Sequence, residues 1–405
     1  MENTSGQSYT QFHGIPQELL CSMAKNASSI TIGIPKERYD GEKRVGLTPE
    51  AVEILTGYGH RVIIESGAGL GINYSDNHYA EAGAEITDSP AIVFQSDIVI
   101  KILPPHPEEV ALMRPRITVC SFVSHQLLRP DAFRLMMAKK ITAVDYRFLL
   151  DERSNYAPFM GTLAEIEGYA AITIASDLLS NSHGGKGILL GGVAGISPTE
   201  IVLVGAGNAG TTAAKAALAM GATIKIFDND ICRLHKIREA LGLQVPTSNF
   251  HPNVLKNAFR SADVVIGALP ADPAGHRYVI AEELVGTMKK GALIIDLCIS
   301  QGGCFETTCR WNKNMPDIFE QYGVLHYCKP FISNSVARTT SMAFSNLFVP
   351  LLTAIGDLGG VQNYIQTNAG FKNGIYIYQG KAVNNSISTP YGIQSNNIDI
   401  YLTAF

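Results

Sequence analysis

The sequence predicts an α/β protein with two doubly wound, Rossmann-like domains, one of them inserted into the other. Three observations predict this fold. Apolar segments of strand length alternate with amphipathic helices, a glycine-rich turn separates one such strand from its helix, and two long helical stretches bracket the middle of the chain. Such alternation is typical of parallel sheets covered by helices on both faces. The chain has 405 residues, which is enough for two or three domains.

The first 150 residues contain the strands of an outer domain. A polar arm with a short amphipathic helix near residues 16–23 comes first, and strands are predicted in TIGIP, RVIIES, DIVIKIL, TVCSFV and KITAVDY. Thr48 precedes Pro49, and a cap residue followed by proline predicts a helix that begins there and continues to Gly57.

The middle third of the chain contains a second set of strands. The helical stretch 162–179 precedes it and the helical stretch 335–355 follows it. Between them, strands are predicted in STEIVLV, TIKIF, DVVIGAL, ALIIDLCI and VLHYC, and the tail adds the strand-like segment IYIYQG. We therefore predict a nucleotide-binding domain over residues 159–337 and an outer, substrate-binding domain formed by residues 1–158 and 338–405.

Composition and charge exclude several classes of function. The formal net charge is -4, with 32 Lys and Arg against 36 Asp and Glu, so no excess of positive charge is present to bind nucleic acid. The longest apolar stretch, 348–355, is too short to span a membrane, and the first residues lack the features of a signal peptide. Seven cysteines without metal-type spacing predict plain thiols, no metal site and a cytoplasmic protein.

A glycine-rich loop predicts a dinucleotide site. Residues 205–210, GAGNAG, match the GxGxxG pattern, follow a buried-type strand and open an alanine-rich helix. In this context the free N–H groups of the helix N-terminus are placed to bind a pyrophosphate, and each glycine permits a turn or a close approach. The predicted contacts come from Gly205, Gly207, Asn208, Ala209 and Gly210. A glycine turn that binds nothing is the alternative.

The acid at the end of the next strand predicts which dinucleotide binds. Asp228 follows the strand TIKIF, where a carboxylate accepts hydrogen bonds from the ribose hydroxyls. A 2'-phosphate beside Asp228 would meet like charge, so the sequence favours NAD(H) over NADP(H). Arg233, five residues further on, weakens this preference.

Three polar residues of the outer domain are candidates for substrate chemistry. Arg44 lies in the charged segment EKRVGLTP and is suited to bind a carboxylate through two parallel hydrogen bonds, although a solvated loop arginine is equally compatible with the spacing. Lys101 interrupts the strand DIVIKIL, where a charge is costly unless it faces a cleft or a partner. His125 lies just past the strand TVCSFV and can move a proton near neutral pH, whereas a packing or surface histidine is the alternative.

The chain resembles the alanine dehydrogenase family, which is similar to the NAD-binding domain of the proton-translocating transhydrogenase. Five blocks carry the resemblance: IGIPKERYDGEKRVGLTPEAV, VIIESGAGLGINYSDNHYAEAGAEI, GGKGILLGGVAGISPTEIVLVGAGNAG, ADVVIGAL and IIDLCISQGGCFET. It implies two α/β domains with a cleft between them, NAD(H) on the inserted domain, and a homo-oligomer, a hexamer or a dimer. It also implies reversible oxidation of an L-amino acid such as alanine to a 2-oxo acid and ammonia.

The resemblance also assigns residues. It places the carboxylate-binding arginine on Arg44 and the acid/base histidine on His125. Lys101 is a further catalytic candidate because residues two apart on a strand share a face, so that it points the same way as Leu103. Leu269 and Ser300 are predicted beside the cofactor.

The remaining family positions differ from the family pattern. The substrate lysine falls on Leu103, the aspartate before Gln-Gly-Gly falls on Ser300, and an asparagine near the nicotinamide falls on Phe331.

Three functions stay open on the sequence. The first is an NAD(H)-dependent amino-acid dehydrogenase or imine reductase. The second is an oxidoreductase of the same fold with a larger or more apolar substrate, which Leu103 and Phe331 favour. The third is a catalytically weakened, NAD(H)-binding or transhydrogenase-like protein. The presence of Arg44 and His125 favours chemistry over nucleotide sensing alone.

Overall fold

The computed structural model describes residues 28–124, 127–269, 279–312 and 314–402. The helix predicted near 16–23 lies outside these residues. The described chain forms two sheets, one of eight strands and one of seven.

The strands are short, as in other α/β proteins. The first group is β1 (Thr31–Ile34), β2 (Arg61–Glu65), β3 (Glu85–Thr87), β4 (Ile98–Ile100), β5 (Thr118–Ser121) and β6 (Thr142–Asp145). The second group is β7 (Glu200–Val204), β8 (Thr223–Phe227), β9 (Thr247–Ser248), β10 (Val264–Gly267), β11 (Leu293–Asp296), β12 (Ile318–Gln321) and β13 (Val324–Tyr327). The tail adds β14 (Ile375–Tyr378) and β15 (Lys381–Ala382).

Helices connect and cover the strands. In the first part of the chain they are α1 (Pro49–Gly57), α2 (Asp76–Glu81), α3 (Pro90–Val93), α4 (Pro107–Leu112), α5 (Pro130–Ala138) and α6 (Pro158–Leu179). Next come α7 (Asn208–Ala219), α8 (Ile231–Leu241), α9 (Pro252–Ser261), α10 (Glu282–Val285) and α11 (Glu306–Cys309). The last are α12 (Ala337–Asp357), α13 (Val361–Thr367), α14 (Ala369–Lys372), α15 (Asn385–Ser388) and α16 (Asp399–Leu402).

Both sheets have the doubly wound strand order. The outer sheet runs β15-β14-β6-β5-β4-β1-β2-β3, in which β1 to β6 are parallel and β14 is antiparallel to β6. The inner sheet runs β12-β13-β11-β10-β7-β8-β9, with β12 antiparallel at one edge. In each sheet the order reverses beside its first strand, between β1 and β4 and between β7 and β10. Ligands bind outside the carboxyl ends of strands at such reversals.

Alternate residues of the central strands pack on opposite faces. In β4, Ile98 and Ile100 belong to one apolar cluster and Val99 to another. In β7, Leu203 lies on one face of the inner sheet while Val202 lies on the other. Side chains along a strand alternate between its faces, so each sheet is covered on both sides. This confirms the predicted fold class.

The long helices α6 and α12 lie where the chain passes between the two sheets. The strands of the inner sheet all lie between these two helices in the chain, which agrees with an inserted domain, although the boundaries at 158 and 337 stay predictions. Residues 332–357 are long and apolar enough to cross a membrane by length and composition alone. Phe344 and Phe348 of this stretch are fully buried in the core of the outer domain.

The sequence placed some elements imprecisely. The strands β3, β9, β12 and β15 were not predicted, because each lies at a sheet edge, where few apolar residues are needed. The strand β4 ends at Ile100, so the prediction that Lys101 lies inside a strand is wrong. The Lys101 N–H still donates to the carbonyl of Cys120 at 2.9 Å, but the chain then leaves the sheet towards two prolines.

Candidate active site between the two sheets

Loops from the carboxyl ends of both sheets meet at one junction. Ser124, which follows β5, donates its hydroxyl to the backbone carbonyl of Ser300, which follows β11, at 3.2 Å. On another side of the junction, the Lys43 N–H donates to the side-chain oxygen of Asn334 at 3.0 Å. The strand order predicts a ligand cleft at this edge of each sheet. The contacts show that the two edges face each other.

The first and third glycines of the GAGNAG loop are required by close backbone contacts. Gly205 has φ of 115°, and a Cβ there would lie 2.2 Å from the carbonyl oxygen of Ala268 at the end of β10. A Cβ on Gly210 would lie 2.0 Å from the carbonyl oxygen of Gly205. Any larger side chain would push the loop away from β10 or from α7. The predicted roles in the turn and in helix packing therefore have a direct structural basis.

The second glycine faces open space instead. Among the described residues, no atom lies within 4 Å of a Cβ built on Gly207. Gly207 also caps α7, and in the described part of the chain no side chain accepts from the N-terminal N–H groups of this helix. The N–H groups of Asn208, Ala209 and Gly210 begin the helix at this point. Open space beside uncapped N–H donors fits a pyrophosphate, so the loop suits the dinucleotide predicted for it.

Asp228 lies beside the same loop, as predicted. Its carboxylate is buried, with one oxygen accepting from the Ala206 N–H at 2.8 Å and the other from the Asp230 N–H at 2.9 Å. A carboxylate oxygen has two lone pairs, so each can still accept a ribose hydroxyl. Arg233 is half exposed and lies 3.9 Å from Asp228 and 3.5 Å from Asp230, which places a cation near the ribose position.

Arg44 is the central cation of the junction. It is 3% exposed, and its Nε and Nη2 atoms donate to the two carboxylate oxygens of Glu42 at 2.8 and 2.6 Å. Its Nη1 atom donates to the hydroxyl of Ser333 at 3.1 Å. Burial lowers the pKa of Arg44, but the Glu42 carboxylate outweighs it and leaves the pKa above its usual value. A solvated loop arginine, the alternative reading, does not agree with this burial.

The guanidinium of Arg44 keeps two donors for a further ligand. It has five N–H groups, and within the described residues only one each on Nε, Nη1 and Nη2 is hydrogen-bonded. One N–H on Nη1 and one on Nη2 remain available to a further acceptor such as a substrate carboxylate. Glu42 thus orients the guanidinium.

Lys101 is buried in an ion-pair network of the outer domain. Its Nζ atom is fully buried and donates to Glu109 at 2.9 Å and to Glu37 at 3.1 Å. Glu37 also accepts from the Ile102 N–H at 2.6 Å. The lysine therefore has two carboxylate partners in the protein itself, and its catalytic role stays a prediction. Leu103 is 3% exposed and packs in the outer core.

Phe331 forms an aromatic wall beside Arg44. Its ring centroid lies 5.0 Å from that of Phe122 in an edge-to-face arrangement, and the Arg44 Cζ lies 5.5 Å from the Phe331 ring. Its backbone is left-handed, with φ of 54° and ψ of 61°. Asparagine adopts this conformation more easily than a bulky residue. The chain thus keeps a backbone suited to the asparagine of the family pattern while it presents an apolar side chain.

The other predicted residues have different positions. His125 lies outside the described residues, so its role stays a prediction. Ser300 is half-buried in a short 3-10 turn after β11, and Leu269 is half-buried just after β10, next to the backbone of Gly205. Both lie at the carboxyl edge of the inner sheet, and their place beside a cofactor stays a prediction.

Sequence reasoning missed Glu167 and Ser333. Ser333 is fully buried just before α12, and its hydroxyl donates to Glu167 Oε1 at 3.2 Å. Glu167 lies on α6, and burial raises the pKa of its carboxyl to about 7 against the opposing effects of Arg44 and Ser333. The available signal was weak, because Glu167 is one of three acidic residues on α6 and differs from the others only in lying directly before Gly168.

Three further side chains come together at the carboxyl end of β11 and in the loop that follows it. The ligand atoms of Asp296, Cys298 and Cys304 lie within 4.8 Å of one another. Asp296 already accepts from the N–H groups of Cys298 and Cys304, both at 2.8 Å, and from the Thr308 hydroxyl. Burial raises the pKa of the Cys304 thiol well above its usual value. Both carboxylate oxygens thus have hydrogen-bond partners on the loop that follows β11, and these bonds fix the shape of that loop.

Comparison with known proteins identifies the family. The model of the alanine dehydrogenase/PNT N-terminal domain matches residues 33–167, and that of the C-terminal domain matches residues 171–385. The chain belongs to the alanine dehydrogenase/PNT family. This confirms the resemblance seen in the sequence and the prediction that the chain is an enzyme of this kind. The roles of its individual site residues stay predictions.

Curated relatives in the family match almost the whole chain. The alanine dehydrogenase of Bacillus subtilis (strain 168) is 33% identical over 363 residues, which cover 90% of this chain and 95% of the relative. The alanine dehydrogenase of Methanococcus maripaludis is 34% identical over 364 residues, which cover 89% of this chain and 96% of the relative.

Solved structures agree with the fold. An L-alanine dehydrogenase superposes with a TM-score of 0.81 at 29% identity, covering 90% of this chain and 99% of its own. A transhydrogenase from Sinorhizobium meliloti superposes with a TM-score of 0.72 at 20% identity, covering 87% of this chain and 99% of its own. The second likeness shows the shared fold alone.

Proposed function

We propose that this protein is an NAD(H)-dependent oxidoreductase that interconverts an L-amino acid with its 2-oxo acid and ammonia. L-alanine and pyruvate are the reference pair. The observation that carries the proposal is the buried Arg44 guanidinium, which lies at the junction of the two sheets and keeps two N–H donors for a carboxylate. The predicted homo-oligomer and cytoplasmic location stay predictions.

The residues of the inner sheet suit NAD(H). The N-terminal N–H groups of α7 would hold the pyrophosphate above Gly207, and Asp228 would accept from the adenosine ribose. A buried carboxylate at that position disfavours a 2'-phosphate, which supports NAD(H) over NADP(H) in spite of Arg233. The bound nicotinamide would supply the acceptor or donor of a hydride.

The residues of the cleft bind, orient and shield the substrate. Arg44 binds the carboxylate, and Glu42 holds the guanidinium plane fixed so that little side-chain entropy is lost on binding. Phe122 and Phe331 cover one side with apolar surface and exclude water, which strengthens the charged contacts. His125 moves the proton, a role that rests on its place after β5 and on the family resemblance.

A substrate with a larger apolar side chain is the second candidate. Leu103 is buried in the outer core, and the wall formed by Phe122 and Phe331 is wholly aromatic. Apolar surface at these positions favours a side chain such as that of leucine over the methyl group of alanine, by about 0.8 kcal/mol for each buried CH₂.

A substrate panel tests the proposal. NADH oxidation is measured with ammonium and a series of 2-oxo acids, and NAD⁺ reduction with the matching L-amino acids. Turnover of pyruvate and alanine supports the first candidate, while turnover that rises with side-chain size supports the second. Absence of turnover with every pair, in protein that binds NADH, would contradict the proposal.

A further inference from the structure

The middle of α6 lies against the dinucleotide loop. A Cβ on Gly168 would lie 2.6 Å from the carbonyl oxygen of Ala209 and 2.7 Å from the Thr212 Cβ, both in the first turns of α7. Only a glycine permits this approach of the two helices. Glu167, the neighbouring residue, is therefore held close to the point where a dinucleotide would bind, and its position does not depend on a mobile loop.

A hydrogen-bonded chain joins Glu167 to the carboxylate-binding cation. Arg44 Nη1 donates to the Ser333 hydroxyl at 3.1 Å, and this hydroxyl donates to Glu167 Oε1 at 3.2 Å. Ser333 is fully buried, so the bridge is shielded from water. The guanidinium nitrogen and the carboxylate oxygen can thus be no more than about 6 Å apart, the length of the two bonds laid end to end.

The two nearby guanidinium groups already have carboxylate partners. Arg44 is paired with Glu42 at 2.6 Å, and Arg147 is paired with Asp145 at 2.6 Å. Glu167, by contrast, has no ion-pair partner among the described residues. A carboxylate in such a position is costly to ionise unless a cation approaches it.

The pKa of Glu167 agrees with the absence of an ion-pair partner among the described residues. Burial raises the pKa of its carboxyl to about 7, and Arg44, Ser333 and Arg147 only partly oppose that rise. On the side of the inner sheet, the thiol of Cys298 lies near enough for Glu167 to raise its pKa. The acid therefore lies between Arg44 and the loop that carries Ser300.

We propose that Glu167 binds the amino group of the substrate while Arg44 binds its carboxylate. This deepens the proposed function and rests on it. Ser300, at the position of the family aspartate, has no charge, and Glu167 supplies the carboxylate from a different element. The role is one of specificity: Glu167 distinguishes an amino acid, which has a cation to offer, from a 2-oxo acid, which does not.

The span between the two groups selects the class of amino acid. In a 2-amino acid the nitrogen lies roughly 3 Å from the nearer carboxylate oxygen, so with a hydrogen bond of about 3 Å at each end the molecule connects groups up to about 9 Å apart. The ω-amino group of lysine lies much farther from its carboxylate. The site therefore fits an α-ammonium group, with the side chain left to the apolar wall.

Direct binding to the NADH-loaded protein tests the role without turnover. L-alanine and pyruvate are titrated separately in the absence of ammonium, and L-leucine with 4-methyl-2-oxopentanoate serves as a second pair. Glu167→Gln keeps an oxygen for the Ser333 hydroxyl and removes only the charge. We expect it to weaken amino-acid binding at least about tenfold and 2-oxo-acid binding less than about threefold. Glu165→Gln, an exposed residue of the same helix, should change neither.

The pH dependence provides a second readout. Protonation of Glu167 near pH 7 removes its charge, so amino-acid binding to the natural protein should weaken as pH falls from 8 to 6. The affinity of Glu167→Gln for the amino acid should not change over this pH range. If the role of Glu167 were only structural, the affinity of the variant would keep the pH dependence of the natural protein.

The two proposals fail in different ways. If the natural protein binds both amino acids and Glu167→Gln binds them equally well at pH 8, the role of Glu167 is refuted and the proposed function stands. If the natural protein binds NADH but neither binds nor turns over any amino acid of the substrate panel, the proposed function is refuted, and the role of Glu167 falls with it.

Discussion

The glycine-rich loop, residues 205–210, and the side of the cleft around Arg44, here called the wall, differ in how they can bind a ligand. Around Gly207 the backbone presents N–H groups to open space, and no described side chain caps them. Around Arg44 the cations already have partners, since Glu42 and Ser333 take three of its five donors. The glycine-rich loop therefore has backbone N–H groups without hydrogen-bond partners, whereas the side chains around Arg44 are hydrogen-bonded to one another.

The difference shows what each side requires of the sequence. A backbone site needs only residues that stay small, so a side chain added there blocks the ligand and leaves the fold intact. A site of buried charges needs every partner, so a single change unbalances its neighbours. Substitutions in the loop should therefore weaken ligand binding without changing stability, whereas substitutions in the wall should change both.

Gly207→Val gives the largest expected effect. The residue has φ of -74° and ψ of -170°, which any L-residue adopts, and a Cβ there meets no described atom within 4 Å. The thermal midpoint should stay unchanged, while NADH affinity falls at least about 100-fold, or 2.7 kcal/mol, because the side chain fills the pyrophosphate position. Calorimetry measures both. Gly57→Val, which also meets open space at the end of α1, should affect neither.

Arg44→Lys comes next, and it tests the side-chain wall. Lysine keeps the charge but loses the planar fork, so the pair with Glu42 and the two donors for substrate are both lost. We expect kcat/KM for the amino acid to fall about 30- to 100-fold, or 2 to 3 kcal/mol, and NADH affinity to change little. An unchanged kcat/KM would show that Arg44 does not bind the substrate carboxylate.

Asp228→Ser has a smaller expected effect, on cofactor choice. Removing the carboxylate removes repulsion of a 2'-phosphate and leaves Arg233, now without one of its acidic neighbours, to attract it. The ratio of NADPH to NADH dissociation constants should narrow about tenfold, or 1.4 kcal/mol. Equal constants for the two cofactors in the natural protein would contradict the assignment to NAD(H).

The same contrast explains which parts of the site the sequence could predict. The glycine loop and Asp228 form a local pattern within one strand–helix–strand unit, and the structure brings them together as the spacing implied. Ser333 and Glu167 come from helices separated by more than 160 residues, and neither lies in a motif. Their meeting depends on how the two sheets face each other, which no local pattern encodes.

The fold shows the same limit. Strands with continuous apolar residues, such as β10 and β11, were predicted because both of their faces are buried. The charge of Lys101 was predicted to face a cleft or a partner, and the structure shows two partners, Glu37 and Glu109. Its partners lie 64 and 8 positions away, so the sequence alone could not show that the charge is already satisfied.

The smallest expected effect is on the free energy of unfolding. Removing the charge of Glu167 should stabilise the ligand-free protein, whereas most substitutions destabilise a protein. Its pKa is raised from 4.5 to about 7, so between these values the folded state binds a proton that the unfolded state has released. Stability therefore falls as pH rises through this window, and above pH 7 the folded state carries the whole cost of the buried charge.

Glu167→Gln should remove that cost. At pH 8 the variant should be more stable than the natural protein by about 1 kcal/mol, a value reduced from the full shift because solvent reaches the half-buried side chain. At pH 4, below the ordinary value of 4.5, the natural carboxyl is largely protonated in both the folded and the unfolded state, and the two proteins should be equally stable. Urea unfolding at both pH values measures the difference, with Glu165→Gln as the exposed control. Equal stability at pH 8 would mean that Glu167 is already well solvated or paired. The expected coupling of ligand binding to stability in the wall around Arg44 would then be wrong.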